Sequence, residues 1–180
     1  MKSLIPLALA AFMFPGLLAA QNKSFDNSPI STLDIYRYLG LWYEIARFDH
    51  SFERGMTDVT AEYLLGDDGR IDVINSGWKE GKYKVADGKA RRPDPEADPA
   101  HLEVSFFLFF YNDYNVLMLD DDYQVALVGS GSPKYLWILS RTPAVSTDVL
   151  DAVLKEASDR GYDTSKLIWV DQNRNSSTSL

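Results

Sequence analysis

No cysteine occurs anywhere in the 180 residues. This excludes a thiol nucleophile, a thiolate metal site, any disulfide and a lipid-bearing cysteine behind the leader, so the fold must rest on packing. Histidine is nearly as scarce. His50 and His101, far apart in sequence, read as solvated residues at loop or strand ends, and neither a metal nor a cofactor is expected. Long apolar runs are missing as well: residues 4–18 form one, but Pro6 and Pro15 interrupt it and it falls short of the ~20 residues a bilayer span needs. Positive charge is in the minority, 18 Lys and Arg against 26 Asp and Glu. The net −8 repels nucleic acid and anionic surfaces, so no nucleic-acid partner is expected.

What remains is apolar and aromatic, 46% and 13% of the chain, enough for one sizeable core and too little for two domains. Residues 1–20 read as a secretory signal peptide, with Lys2 at its start and Leu18, Ala19 and Ala20 near the cleavage point. A polar leader, 21–32, precedes a domain spanning 33–172, and 173–180 reads as a flexible tail, with fraying expected from Gln172. The protein is thus expected to be exported, periplasmic or secreted, without lipid anchoring.

Alternating or aromatic-rich runs at 41–48, 59–65, 71–78, 83–90, 102–110, 115–119, 123–128 and 135–139 predict eight strands. Turn residues such as Asp67, Asp68, Gly69 and Gly81 separate them. Strands so evenly spaced suit an all-β, eight-stranded, up-and-down antiparallel barrel, which has no sheet edges. One helix follows Pro143, with Ser146 or Thr147 as its cap and Gly161 beyond its end. Its stripe of Leu150, Val153, Leu154 and Ala157 is expected to pack on the outer barrel wall. Residues 167–170 form a short last strand.

The stretch GLWYEIARFD begins at Gly40, and YLWILSR ends on Arg141. Trp42 is large enough to plug one end of a small barrel, and Arg141 offers a guanidinium to its face, so Gly40, Trp42 and Arg141 are taken as the closure. With Trp42 inward, alternation puts Glu44, Ala46 and Phe48 inside; Arg141 likewise fixes Tyr135, Trp137 and Leu139. By composition Val59, Ala61, Tyr63, Val73, Asn75, Val104 and Phe106 also face in. So, on weaker grounds, do Ala86, Gly88, Ala90, Tyr114, Val116, Met118, Ala126, Val128 and Ser130. Small residues facing large ones leave an apolar cavity suited to an acyl chain. Phe52 would be a lid over its mouth. For Glu44 two readings stand: inside the cup, or turned out by a bulge near Ile45.

These residues match a known family, and the chain resembles the lipocalins, in particular their bacterial outer-membrane and apolipoprotein D branches. GLWYEIARFDHSFERG is similar to the first family motif. DDDYQVALV resembles the second, keeping Asp122 and Tyr123 with Asp121 in place of threonine, and LWILSRTP the third. The resemblance implies an eight-stranded calyx with a carboxy-terminal helix and binding of fatty acids or lysophospholipids without catalysis. An enzyme acting on a lipid in the same barrel, through Glu44 and Tyr135, is the alternative, although no triad, activated nucleophile or cofactor motif is present. Phe107, Leu108, Phe109 and Phe110 exceed what one barrel face can bury. They suggest a rim patch for a second copy or a membrane, or a loop folded over the mouth. The run Asp120, Asp121, Asp122 reads as a turn, and GSGSPK from Gly129 as a hairpin.

Overall fold

The computed structural model describes residues 25–107 and 110–177. The expected signal peptide, and Leu108 and Phe109 of the aromatic run, lie outside the described residues. Among the described residues nine strands and three α-helices follow in order, with one short 3-10 helix (Thr164–Lys166) before the last strand: α1 (Ile35–Tyr38), β1 (Gly40–Phe48), β2 (Thr57–Leu65), β3 (Ile71–Lys79), β4 (Lys82–Arg91), β5 (His101–Ser105), β6 (Asn112–Leu119), β7 (Val125–Gly129), β8 (Leu136–Ser140), α2 (Thr147–Asp159), β9 (Leu167–Trp169) and α3 (Asn173–Ser177). Each of β1 to β8 runs antiparallel to the next, and β1 pairs with both β2 and β8, which closes the barrel. The β3–β4 turn uses Glu80 and Gly81 with φ of 52° and 73°, two left-handed residues whose twist suits a two-residue hairpin.

Four strands start or stop two or more residues from where alternation predicts, β2 beginning early at Thr57 and β6 at Asn112. β5 ends at Ser105 instead of continuing to Phe110, because Phe106 and Phe107 bend away from the ladder. β7 begins at Val125, since Tyr123 takes φ 60° and cannot lie in a strand.

The core has two layers. Inside the barrel lie Tyr38, Trp42, Ile71, Ala90, Leu102, Val116, Ala126, Val128 and Leu139. Outside it, Val153 and Ala157 of α2, with Leu150 and Leu154 at their flanks, pack on Ile45, Leu117, Leu127, Leu136 and Ile138. The expected helix stripe is therefore the one that docks. Ser146 stands at the N-cap, but its side chain makes no capping bond. The leader lies along this layer: Ile30 N–H donates to Val116 O, Asp26 N–H to Arg160 O, and the Phe25 ring meets Tyr162 edge-on.

β1 leaves β2 after Tyr43, and the gap is taken up from the other end of the chain. β9 pairs with Ala46, Arg47 and Phe48, Val170 N–H donates to Ile45 O, and Asp58 N–H donates to Asp171 O. The Gln172 side-chain amide then donates 2.8 Å bonds to Glu44 O and Val59 O, one on each side of the seam. Gln172 is buried and α3 follows it, where the sequence predicts fraying. A lone polar side chain gives no sequence signal that two strands will part and need it.

Candidate functional site

The closed end is built by the expected residues. The guanidinium carbon of Arg141 lies 3.8 Å from the Trp42 ring centroid. Its nitrogens donate to the carbonyls of Leu41, Arg37, Tyr38 and Leu39 at the end of α1 and the start of β1, and Trp42 Nε1 also donates to Tyr38 O. Gly40 stands beside it with a φ of +94°, a backbone conformation that disfavours any side chain. Tyr123 joins the same end, its hydroxyl accepting from Asp34 N–H and its ring carrying Arg37 at 4.0 Å. The Asp120 carboxylate closes the turn there by accepting from Gln124 and Val125 N–H.

Above this floor three tyrosines join hydroxyls, Tyr38 to Tyr114 at 2.6 Å and Tyr114 to Tyr63 at 2.8 Å. Burial raises the hydroxyl pKa of all three. Above them opens a cavity of about 180 Å³. Its apolar wall is Val59, Ala61, Val73, Val104, Leu139, Trp137 and Tyr135, and Phe52 and Phe106 stand at its mouth.

Of the residues expected to face the interior, Glu44, Phe52, Val59, Ala61, Val73, Asn75, Val104, Phe106, Tyr114, Tyr135 and Trp137 line this cavity. Val116 and Val128 are buried in the floor beneath it. Five assignments are corrected. The β1–β8 register shifts between Glu44 and Ala46, so that a bulge reverses alternation. Glu44 stays inside, Arg47 turns in beside it, and Ala46 and Phe48 face out into the α2 layer. A second shift, between Val116 and Met118, sends Met118 outward. Ala86 keeps its parity but is exposed, because β4 pairs with β5 only along Lys89, Ala90 and Arg91. Gly88 leaves no free volume either: Phe106 occupies its place, and a Cβ there would lie 2.8 Å from the Phe106 ring.

The bulge creates a buried charged cluster. Glu44 and Arg47 are 3% and 1% exposed, and Arg47 Nη1 donates to Glu44 Oε1 at 2.5 Å. Arg47 Nη2 donates to Glu53 O at 2.8 Å, which ties the β1–β2 loop down over the mouth. Loss of water pushes the Glu44 carboxyl up to about 8, and the neighbouring Glu53 carboxylate adds to this while Arg47 opposes it. Arg47 is thus the cation that reaches Glu44. Glu53 was not singled out by the sequence. It accepts from Trp137 Nε1 at 3.3 Å, and His50 Nε2 lies 2.9 Å from its Oε2 without hydrogen-bond alignment. His50 is buried here, contrary to the solvated reading. The available signal was spacing alone, with His50 three and Arg47 six residues before Glu53.

Outside the cup, His101, Glu103 and Asp113 bring three potential ligand atoms within 4.8 Å of one another, the one such group among the described residues. Glu103 is already held by Arg91 at 2.6 Å. Phe107 and Phe110 stack at 6.3 Å and are 67% and 71% exposed.

Comparison with known proteins agrees with this geometry. The family model described as a lipocalin-like domain matches residues 33–172. The outer membrane lipoprotein Blc of Escherichia coli K12 is 50% identical over 145 residues, covering 79% of this chain and 81% of that protein. Apolipoprotein D of Mus musculus is 30% identical over 147 residues, 77% of each chain. Among solved structures, insecticyanin from the tobacco hornworm Manduca sexta superposes with a TM-score of 0.69 at 25% identity, covering 82% of this chain and 85% of that one. Shared sequence across most of the chain, together with a barrel plugged by Trp42 under Arg141, makes this protein a member of the lipocalin family.

Proposed function

We propose that the protein is a non-catalytic carrier of a single-chain lipid, a fatty acid or a lysophospholipid, in the bacterial cell envelope. The observation that carries this reading is the cavity, apolar along most of its walls and closed below by the tyrosine cluster and Trp42. At about 180 Å³ it is smaller than the ~300–1,000 Å³ of pockets that enclose drug-sized ligands, which favours one acyl chain over a fused-ring cofactor. Each methylene taken from water contributes about 0.8 kcal/mol, so a chain part-way into the cup already supplies useful affinity. The envelope setting accords with the relatives named outer membrane lipoprotein and with the apolar leader of this sequence.

The test is displacement of a fluorescent fatty-acid analogue from delipidated protein, alongside native mass spectrometry of protein purified without delipidation. Saturable binding at one site and a co-purified acyl lipid are expected. Absence of saturable binding together with absence of any co-purified acyl lipid would remove the carrier reading.

A further inference from the structure

The charge lining the cavity has one sign. Glu44 and Glu53 contribute carboxyl groups to its wall, the Asp113 carboxylate stands outside near His101, and no Lys, Arg or His is among the described residues that line it. The nearest guanidinium, Arg47, stands behind the wall and is committed to Glu44 and to the carbonyl oxygens of Glu53 and Met56. Glu44 therefore has a cationic partner. Glu53, 7% exposed, has an indole N–H at 3.3 Å and an imidazole out of alignment.

Aromatic rings surround that carboxylate. His50 stacks on Phe52 with centroids 3.9 Å apart and lies 5.5 Å from Trp137, and Trp137 runs parallel to Tyr135 at 6.0 Å. Phe52, Trp137 and Tyr135 also line the cavity. A carboxylate entering here meets like charge and no lining cation, whereas an ammonium meets a carboxylate and several electron-rich ring faces.

We propose that this cavity selects single-chain amphiphiles whose polar end carries an ammonium group and disfavours those that end in a free carboxylate. The proposal rests on the reading of the barrel as an acyl-chain cup and narrows its ligand class. The ammonium could belong to a zwitterionic lysophospholipid headgroup or to a free long-chain amine. In the first case the phosphate stands between the chain and the ammonium, so the headgroup must curl back for its ammonium to meet Glu53.

The experiment compares dodecylamine, dodecanol, dodecanoate and dodecylphosphocholine, each below its micellar concentration, as competitors of the neutral probe N-phenyl-1-naphthylamine at pH 7.5. Dodecylamine is expected to compete about tenfold better than dodecanoate, with dodecanol between them. Glu53→Gln, checked for native circular dichroism, should shrink that ratio to about two- or threefold; if the variant does not fold, the wild-type ratio decides alone. Dodecylphosphocholine competing as well as dodecylamine would assign the ammonium to a lipid headgroup, and dodecylamine alone would assign it to a free amine. Dodecanoate equal to or better than dodecylamine, or a ratio unchanged in folded Glu53→Gln, overturns the selection while dodecanol binding leaves the carrier reading standing. Failure of the probe and of dodecanol to bind at all overturns both.

Discussion

The Arg141 guanidinium is stacked 3.8 Å from the Trp42 ring centroid and at the same time donates four hydrogen bonds to the carbonyls of Arg37, Tyr38, Leu39 and Leu41. One side chain thus joins β8 to α1 and β1 at the closed end. Lysine cannot reproduce a planar fork that stacks and donates together. Arg141→Met is expected to lower unfolding free energy by about 3 kcal/mol, with Arg141→Lys recovering less than half. Urea denaturation followed by tryptophan fluorescence measures both, and equal stability of Lys and Arg forms would refute the fork argument.

The tyrosine hydroxyls give an ordering that depends on connectivity. Tyr114 bonds to both Tyr38 and Tyr63, so Tyr114→Phe strands two buried hydroxyls, whereas Tyr63→Phe strands none and leaves the Tyr38–Tyr114 bond intact. Costs of about 2–3 kcal/mol and about 1 kcal/mol respectively are expected. A thermal-denaturation series in which Tyr63→Phe is the more damaging would contradict the hydroxyl chain.

Stability should fall as pH rises through neutrality. Glu44 is raised from 4.5 to about 8 in the folded protein, so the native state binds this proton more tightly than the unfolded chain. Its stabilising contribution is complete below about pH 4.5 and is lost as pH climbs through about 8. Unfolding midpoints taken between pH 5 and 8.5 are expected to decline for the native sequence and to decline distinctly less for Glu44→Gln. Parallel profiles would show that Glu44 is not the group responsible.

Gln172 closes the gap between β1 and β2 by donating to Glu44 O and Val59 O. Gln172→Ala leaves two buried carbonyls without donors, and a loss of about 2 kcal/mol is expected. Hydrogen exchange of the surrounding β1 and β2 amides should accelerate selectively. Uniform protection across the barrel would show that the seam holds without this residue.

Strand order, barrel class, the docking stripe of α2 and the plug at the closed end were all legible in the chain, because each is written in local terms: a period of two, a period of 3.6, turn residues, and a tryptophan with a distant arginine. The tertiary structure decided which residues face the cavity. Alternation counts residues, and a bulge inserts one without any mark in the pattern, so Ala46, Phe48 and Met118 moved outside while Arg47 came in. Ala86 kept its parity yet lost its cover, because β5 stops where Phe106 turns over Gly88. Burial of Glu53 and His50, and the sealing of the barrel by Gln172, depend on segments far apart in sequence meeting in space. The sequence by itself settled that there is a cup and which residues shut it; only the closed fold, through strand register and long-range contact, decided what lines it.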